Sequence, residues 1–89
     1  MGKTIKDRNY SFEHTKQRLK ERYHIDITIK HYDMMCQQIL DEKDIFLIEV
    51  EYQYHDTQII YDLHFPHRNP IRVVWSEERE CITTVLERK

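Results

Sequence analysis

Three side chains suited to phosphate chemistry recur at helical spacing near the start of this 89-residue chain: His14, Arg18 and Arg22, within SFEHTKQRLKERY. Positions i, i+4 and i+8 fall on one side of an α-helix, so the three share a polar, basic face. A histidine, with an ordinary pKa of about 6.5, holds or releases a proton near neutral pH. An arginine fork stays charged and matches phosphate oxygens in a two-pronged way. Those are the parts for cutting RNA by internal transesterification, in which a base takes the 2'-proton, a cation holds the phosphate and an acid serves the leaving 5'-oxygen. The alternative is a solvated helix face, with His14 beside Glu13 and Arg18.

Further candidates for contacting RNA lie later in the chain: His64, His67, Arg68, Arg72 and Arg79. PHRNP gathers His67, Arg68 and Asn69 at a break made by two prolines, and nearby Tyr or His rings can stack on an unpaired base. Such a turn is also polar for solvation alone. Tyr52, Tyr54 and Tyr61 fit a stacking platform or a half-buried core, and the core reading is preferred. Six histidines raise the question of a metal, but neither cysteine neighbours His64 or His67 and no HExxH occurs, so no metal site and no cofactor are expected. Cys36 and Cys81 read as small buried hydrophobes rather than nucleophiles.

The elements that position these residues follow from apolar spacing. Phe12, Thr15, Leu19 and Tyr23 recur at three and four, predicting a helix over 11–23 with Ser11 as its N-cap. Ile29, Tyr32, Met35, Cys36, Ile39 and Leu40 predict a second helix over 28–40, capped by Thr28 or Asp26 and packed next to the first. From residue 45 the period becomes 2. Strands are predicted near 45–54, 58–65, 71–76 and 81–87, with HDTQ, PHRNP and SEERE as turns. Ile48, Val50, Tyr52 and Tyr54 are expected on one strand face, with Glu49, Glu51 and Gln53 on the other. A further strand at Thr4–Asn9 has Ile5 as its single apolar anchor. The fold class is α+β, with two N-terminal helices on a four-stranded antiparallel sheet. The expected core includes Leu19, Met35, Ile39, Val50, Leu63, Val73 and Val85.

Size and composition fit that outline. Residues 1–89 suffice for one domain, with 39% hydrophobic residues, ten aromatics, a single Gly and two Pro. Two cysteines match no CxxC spacing, no apolar run is long enough to span a membrane, and the first residues lack the apolar stretch of a secretion signal, so a cytoplasmic protein is expected. The net charge of −2 is unevenly spread. Residues 1–30 hold eight basic and four acidic groups, residues 31–62 one and eight, and residues 63–89 five and four. The basic first third suits a polyanion; the acidic middle suits a basic protein.

The arrangement YSFEHTKQRLKERYHID, then a second helix, then IRVVWSEERECITTVLE, resembles small RelE-like proteins, and more distantly the BrnT toxins of type II toxin–antitoxin pairs. The resemblance covers residues 10 to 87. It implies an antiparallel sheet with a pair of helices on one face and a metal-independent endoribonuclease acting on RNA, in some cases on the ribosome, with an antitoxin protein as partner. Carried onto this sequence, the characteristic helix positions fall on His14, Arg18 and Arg22, and the terminal strand on Thr83 to Leu86. RelE-like toxins tend to be strongly basic, whereas this chain is net acidic and carries Glu49 and Glu51 on a predicted exposed strand face. The other reading is therefore a RelE-like module that binds a protein, such as an antitoxin-like helix or a ribosome-associated surface, and cleaves nothing.

Overall fold

Where the apolar period changes from 3.6 to 2, the chain passes from one layer to the next. The structure, a computed structural model, describes residues 5–87, with side chains from Asn9 onward. The elements are α1 (Ile5–Tyr23), α2 (Ile29–Leu40), β1 (Ile45–Gln53), β2 (Asp56–Phe65), β3 (Arg68–Ser76) and β4 (Cys81–Leu86). The strands form one antiparallel meander in the order β1-β2-β3-β4, with the two helices packed on it.

The first helix begins earlier than its apolar spacing suggests. Residues 5–9 are helical rather than a strand, Thr4 itself lying outside the described residues. Ser11 is not a cap but an interior position of α1, 1% exposed, and its hydroxyl has no hydrogen-bond partner among the described residues. A strand over these residues would have no alternating apolar face to bury. Ser11, Thr15 and Leu19 form the buried line of α1, and Phe12 and Tyr23 pack partly buried beside it.

Thr28 does cap α2. Its hydroxyl accepts from the His31 amide at 3.3 Å, and His31 Nδ1 accepts from the Thr28 amide at 3.3 Å, so a histidine fills the reciprocal role of a capping box. Behind the cap, Tyr32, Met35, Cys36 and Ile39 are buried. They meet Leu63, Ile71, Val73, Trp75, Ile82 and Val85 from the sheet in a single core. Among the expected core residues only Val50 departs, being half-buried.

The turns are tighter than predicted. Tyr54 and His55 alone join β1 to β2, so Asp56, Thr57 and Gln58 belong to a strand. Pro66 and His67 alone join β2 to β3, with His67 in the left-handed region (φ 65°), and Arg68, Asn69 and Pro70 begin β3. A bulge in β1 changes which residues share a face. Leu47 pairs with Tyr61 and Val50 with Ile59, with a register shift between Leu47 and Glu49, so the face carrying Val50 and Tyr52 continues to Leu47 rather than to Ile48.

Both helices contact β4, and they leave the opposite edge of the sheet bare. Phe46, Leu47 and Ile48 are exposed, and Tyr52 and Tyr54 are 83% and 91% exposed. The expectation that Ile48, Val50, Tyr52 and Tyr54 form a buried face is therefore corrected: the helix-covered core reaches only the start of β1, at Ile45.

Candidate functional site

The three helix residues singled out by spacing have separate surroundings. His14 is half-buried, its ring stacked on Tyr10 with centroids 6.3 Å apart and planes 10° from parallel. Both line an open cleft of about 480 Å³ with Glu13, Lys16, Gln17, Lys20 and Asp26. Neither Arg18 nor Arg22 lines it. Arg18 pairs with Glu21 at 2.9 Å, where hydrogen bonds from Gln17 and then Arg18 hold the Glu21 carboxyl below its ordinary range. Arg22 reaches the other way and donates to the Val85 carbonyl. One helical face thus holds a histidine in a cleft, a surface ion pair and a tie to the sheet.

The later candidates also separate. The meander puts His67 in the β2–β3 turn and Arg68 at the start of β3 at one end of the sheet, and the β3–β4 turn, with Arg79, at the other. His64 is exposed and its ring lies 5.3 Å from that of Phe46. Arg72 grips the buried Asp62 by donating two hydrogen bonds, Nε to Oδ1 at 2.9 Å and Nη2 to Oδ2 at 3.1 Å, and donating to the Asp62 carboxylate raises the pKa of the guanidinium. Arg68 lines a mainly apolar groove of about 410 Å³ between α2 and the start of β3, with Ile27, Met34, Phe65 and Ile71 among its walls. Among the described residues, no group of three or more His, Cys, Asp or Glu side chains is placed to hold a metal ion.

Sequence reasoning missed a surface on the helix-covered side of the sheet, beyond the helices. Tyr61 packs against the core from this side, and the register puts Leu47, Val50, Tyr52 and Ile59 on its face. Leu47 and Tyr52 are exposed, as is Leu40 at the end of α2. Next to them a cleft of about 410 Å³ has Tyr61, Trp75 and Leu40 in its lining with Glu42, Glu77 and Glu80. The Tyr61 phenol is pushed above its ordinary pKa, first by burial and then by the charges of Glu77 and Glu42. The surface is thus apolar with an acidic border. The clue in the sequence was the pairing of apolar β1 residues with the −7 charge of residues 31–62.

The two edges of the sheet also differ. Carbonyls along β4 are taken up by the helices: Ile82 O accepts from Thr15 Oγ1 at 3.5 Å and Tyr32 Oη at 2.6 Å, Val85 O from Arg22, and Leu86 O from Tyr23 Oη at 2.6 Å. No comparable tie from another element reaches the outer edge of β1 among the described residues. No helix there is long and apolar enough to cross a membrane, and Cys36 and Cys81 are buried free thiols.

Comparison with protein-family models, with curated proteins and with solved structures finds no match to this chain.

Proposed function

We propose that this protein works by binding another protein through the uncovered half of its sheet. One observation carries the reading: beyond Tyr61, where the helix-covered core ends, Leu47, Val50, Tyr52 and Ile59 continue the same sheet face, bordered by Glu42, Glu77 and Glu80. Exposed apolar surface costs solubility unless it is used, and a charged border gives selectivity and speeds encounter. The acidic border favours a basic protein and repels RNA. Within the RelE-like resemblance such a partner is an antitoxin, and buried free thiols suit a cytoplasmic setting.

The test compares tagged wild-type protein with a Leu47→Lys, Tyr52→Lys variant, both positions being exposed. A partner retained by the wild type and lost by the variant, and rebinding in purified form with an on-rate that falls as salt rises, supports the reading. Absence of any partner that depends on this face overturns it.

RNA cleavage is the second reading, favoured by the His14 cleft, where the stacked Tyr10 and His14 rings lie beside Lys16 and Lys20. Such a site offers a ring for a base, cations for a phosphate and an imidazole for the proton. His14→Ala then lowers cleavage by about 10² to 10⁴-fold, EDTA leaves the rate alone, and the products carry 2',3'-cyclic phosphate. Intact RNA after incubation with the wild type, with and without ribosomes, removes this reading.

A further inference from the structure

We propose that the outer edge of β1 takes up an extended segment of a basic partner protein as a fifth strand. The segment would place apolar residues opposite Leu47, Val50 and Tyr52 and lysine or arginine opposite Glu49 and Glu51. This rests on the protein-binding reading above and specifies the partner's form and chemistry.

The argument begins with the unequal edges. An edge strand presents backbone donors and acceptors at the spacing another strand needs, and proteins usually cover, shorten or charge such an edge. On β4 the covering is done by Thr15, Arg22, Tyr23 and Tyr32. On β1, nine residues long and bulged at Ile48, no other element among the described residues does it. Gln38 Nε2 donates to the carbonyls of Asp44 at 3.1 Å and His64 at 3.2 Å, which anchors the start of β1 to α2 and leaves the rest of the strand open.

The side chains of β1 then define the occupant. The register places Leu47, Val50 and Tyr52 on the helix side and Glu49 and Glu51, paired with Ile60 and Gln58, on the other. Because side chains alternate along a strand, a chain laid alongside must alternate too. Its residues on the helix side extend the bare apolar face; those on the far side meet two carboxylates in a segment with one basic and eight acidic groups. Opposite charges across strands favour pairing and like charges oppose it. A second copy of β1 would bring its own Glu49 and Glu51 to this edge, and a nucleic acid its phosphates. A basic strand fits both faces at once.

The experiment uses the full chain, isotopically labelled, and a blocked peptide of about ten alternating lysine and valine residues, long enough to span β1. Its comparisons are a glutamate–valine peptide and the lysine–valine peptide methylated at every backbone nitrogen, which keeps the side chains but removes the donors of a ladder. The expected result is slowed amide exchange along β1 and binding at least about tenfold tighter for lysine–valine than for glutamate–valine, as two favourable cross-strand charge pairs allow. The methylated peptide should lose binding, and Glu49→Lys with Glu51→Lys, both exposed positions, should reverse the charge preference. Equal binding of the methylated peptide overturns the strand while leaving a protein-binding face. Absence of β1 protection with every peptide also overturns it, and the co-purification test above still decides the broader reading. A dimer in sedimentation with β1 already protected assigns the edge to a second copy, which overturns the basic partner.

Discussion

The guanidinium of Arg22 donates to the backbone carbonyl of Val85, 63 residues further along the chain. It joins the end of α1 to the edge strand β4, next to the point where Tyr23 Oη accepts from the Arg72 amide at 3.1 Å and donates to the Leu86 carbonyl. A residue that sequence spacing offers to a phosphate is thereby committed to holding a helix on a sheet.

Arg22→Ala should therefore act on stability before activity. Hydrogen bonds involving charged groups contribute about 1.5 to 3 kcal/mol, and partial exposure puts this one near the lower end. In a domain of this size each kcal/mol lost lowers Tm by about 4 to 8 °C. A thermal melt unchanged by the substitution would mean that solvent replaces the bond at no cost.

Leu63 is fully buried where β2 meets the core. Leu63→Ala should cost about 2 to 5 kcal/mol, the range for truncating a buried leucine. Urea unfolding measures it, and a shift below about 1 kcal/mol would require the neighbouring side chains to close the cavity.

The Asp62–Arg72 pair has its carboxylate buried and its guanidinium partly exposed. Arg72→Met removes both hydrogen bonds to a buried charge, at an expected cost of about 2 to 4 kcal/mol, somewhat below that of breaking a fully buried pair. Replacing both residues with apolar ones, Asp62→Leu with Arg72→Met, should recover much of that loss. The comparison of single and double variants in denaturant checks this.

Asp56 supplies a pH dependence. Burial pushes its carboxyl up, but hydrogen bonds from the Ser76 hydroxyl at 2.6 Å and the Glu78 amide at 3.0 Å outweigh it, and the folded pKa lies below the ordinary value. The unfolded chain then binds the proton more readily than the folded one. The contribution is complete above the ordinary aspartate range and is lost as pH falls through the lowered folded pKa. Wild type should lose more stability than Asp56→Asn between neutral pH and that acid range, as read from urea unfolding at a series of pH values.

Much of this architecture was legible in the residues themselves. The spacing of Tyr32, Met35, Cys36 and Ile39 gives a buried helix face, and Thr28 caps it as read. The alternations after residue 45 give four strands, and short connections leave them little choice but an antiparallel meander. Leu19, Met35, Ile39, Leu63, Val73 and Val85 are buried as their periods indicate.

Periodicity says which side of an element faces inward, not how far the opposing layer extends. β1 alternates like a strand with one covered face, yet the core under the helices ends at Ile45 and Tyr61 and leaves Leu47 and Tyr52 exposed. The early start of α1 hid in the same way, because Ser11 resembles a cap until the turns before it prove helical and its hydroxyl is buried. His14, Arg18 and Arg22 share a helical face by arithmetic that holds for any helix. The Arg18–Glu21 pair follows from i, i+3 spacing on the same helix, but the Arg22–Val85 contact spans 63 residues of chain and is set by packing rather than local spacing. The sequence alone determined the elements and their order; tertiary packing decided which edge of the sheet the helices satisfy and which they leave open, because that depends on how far one layer extends over the other.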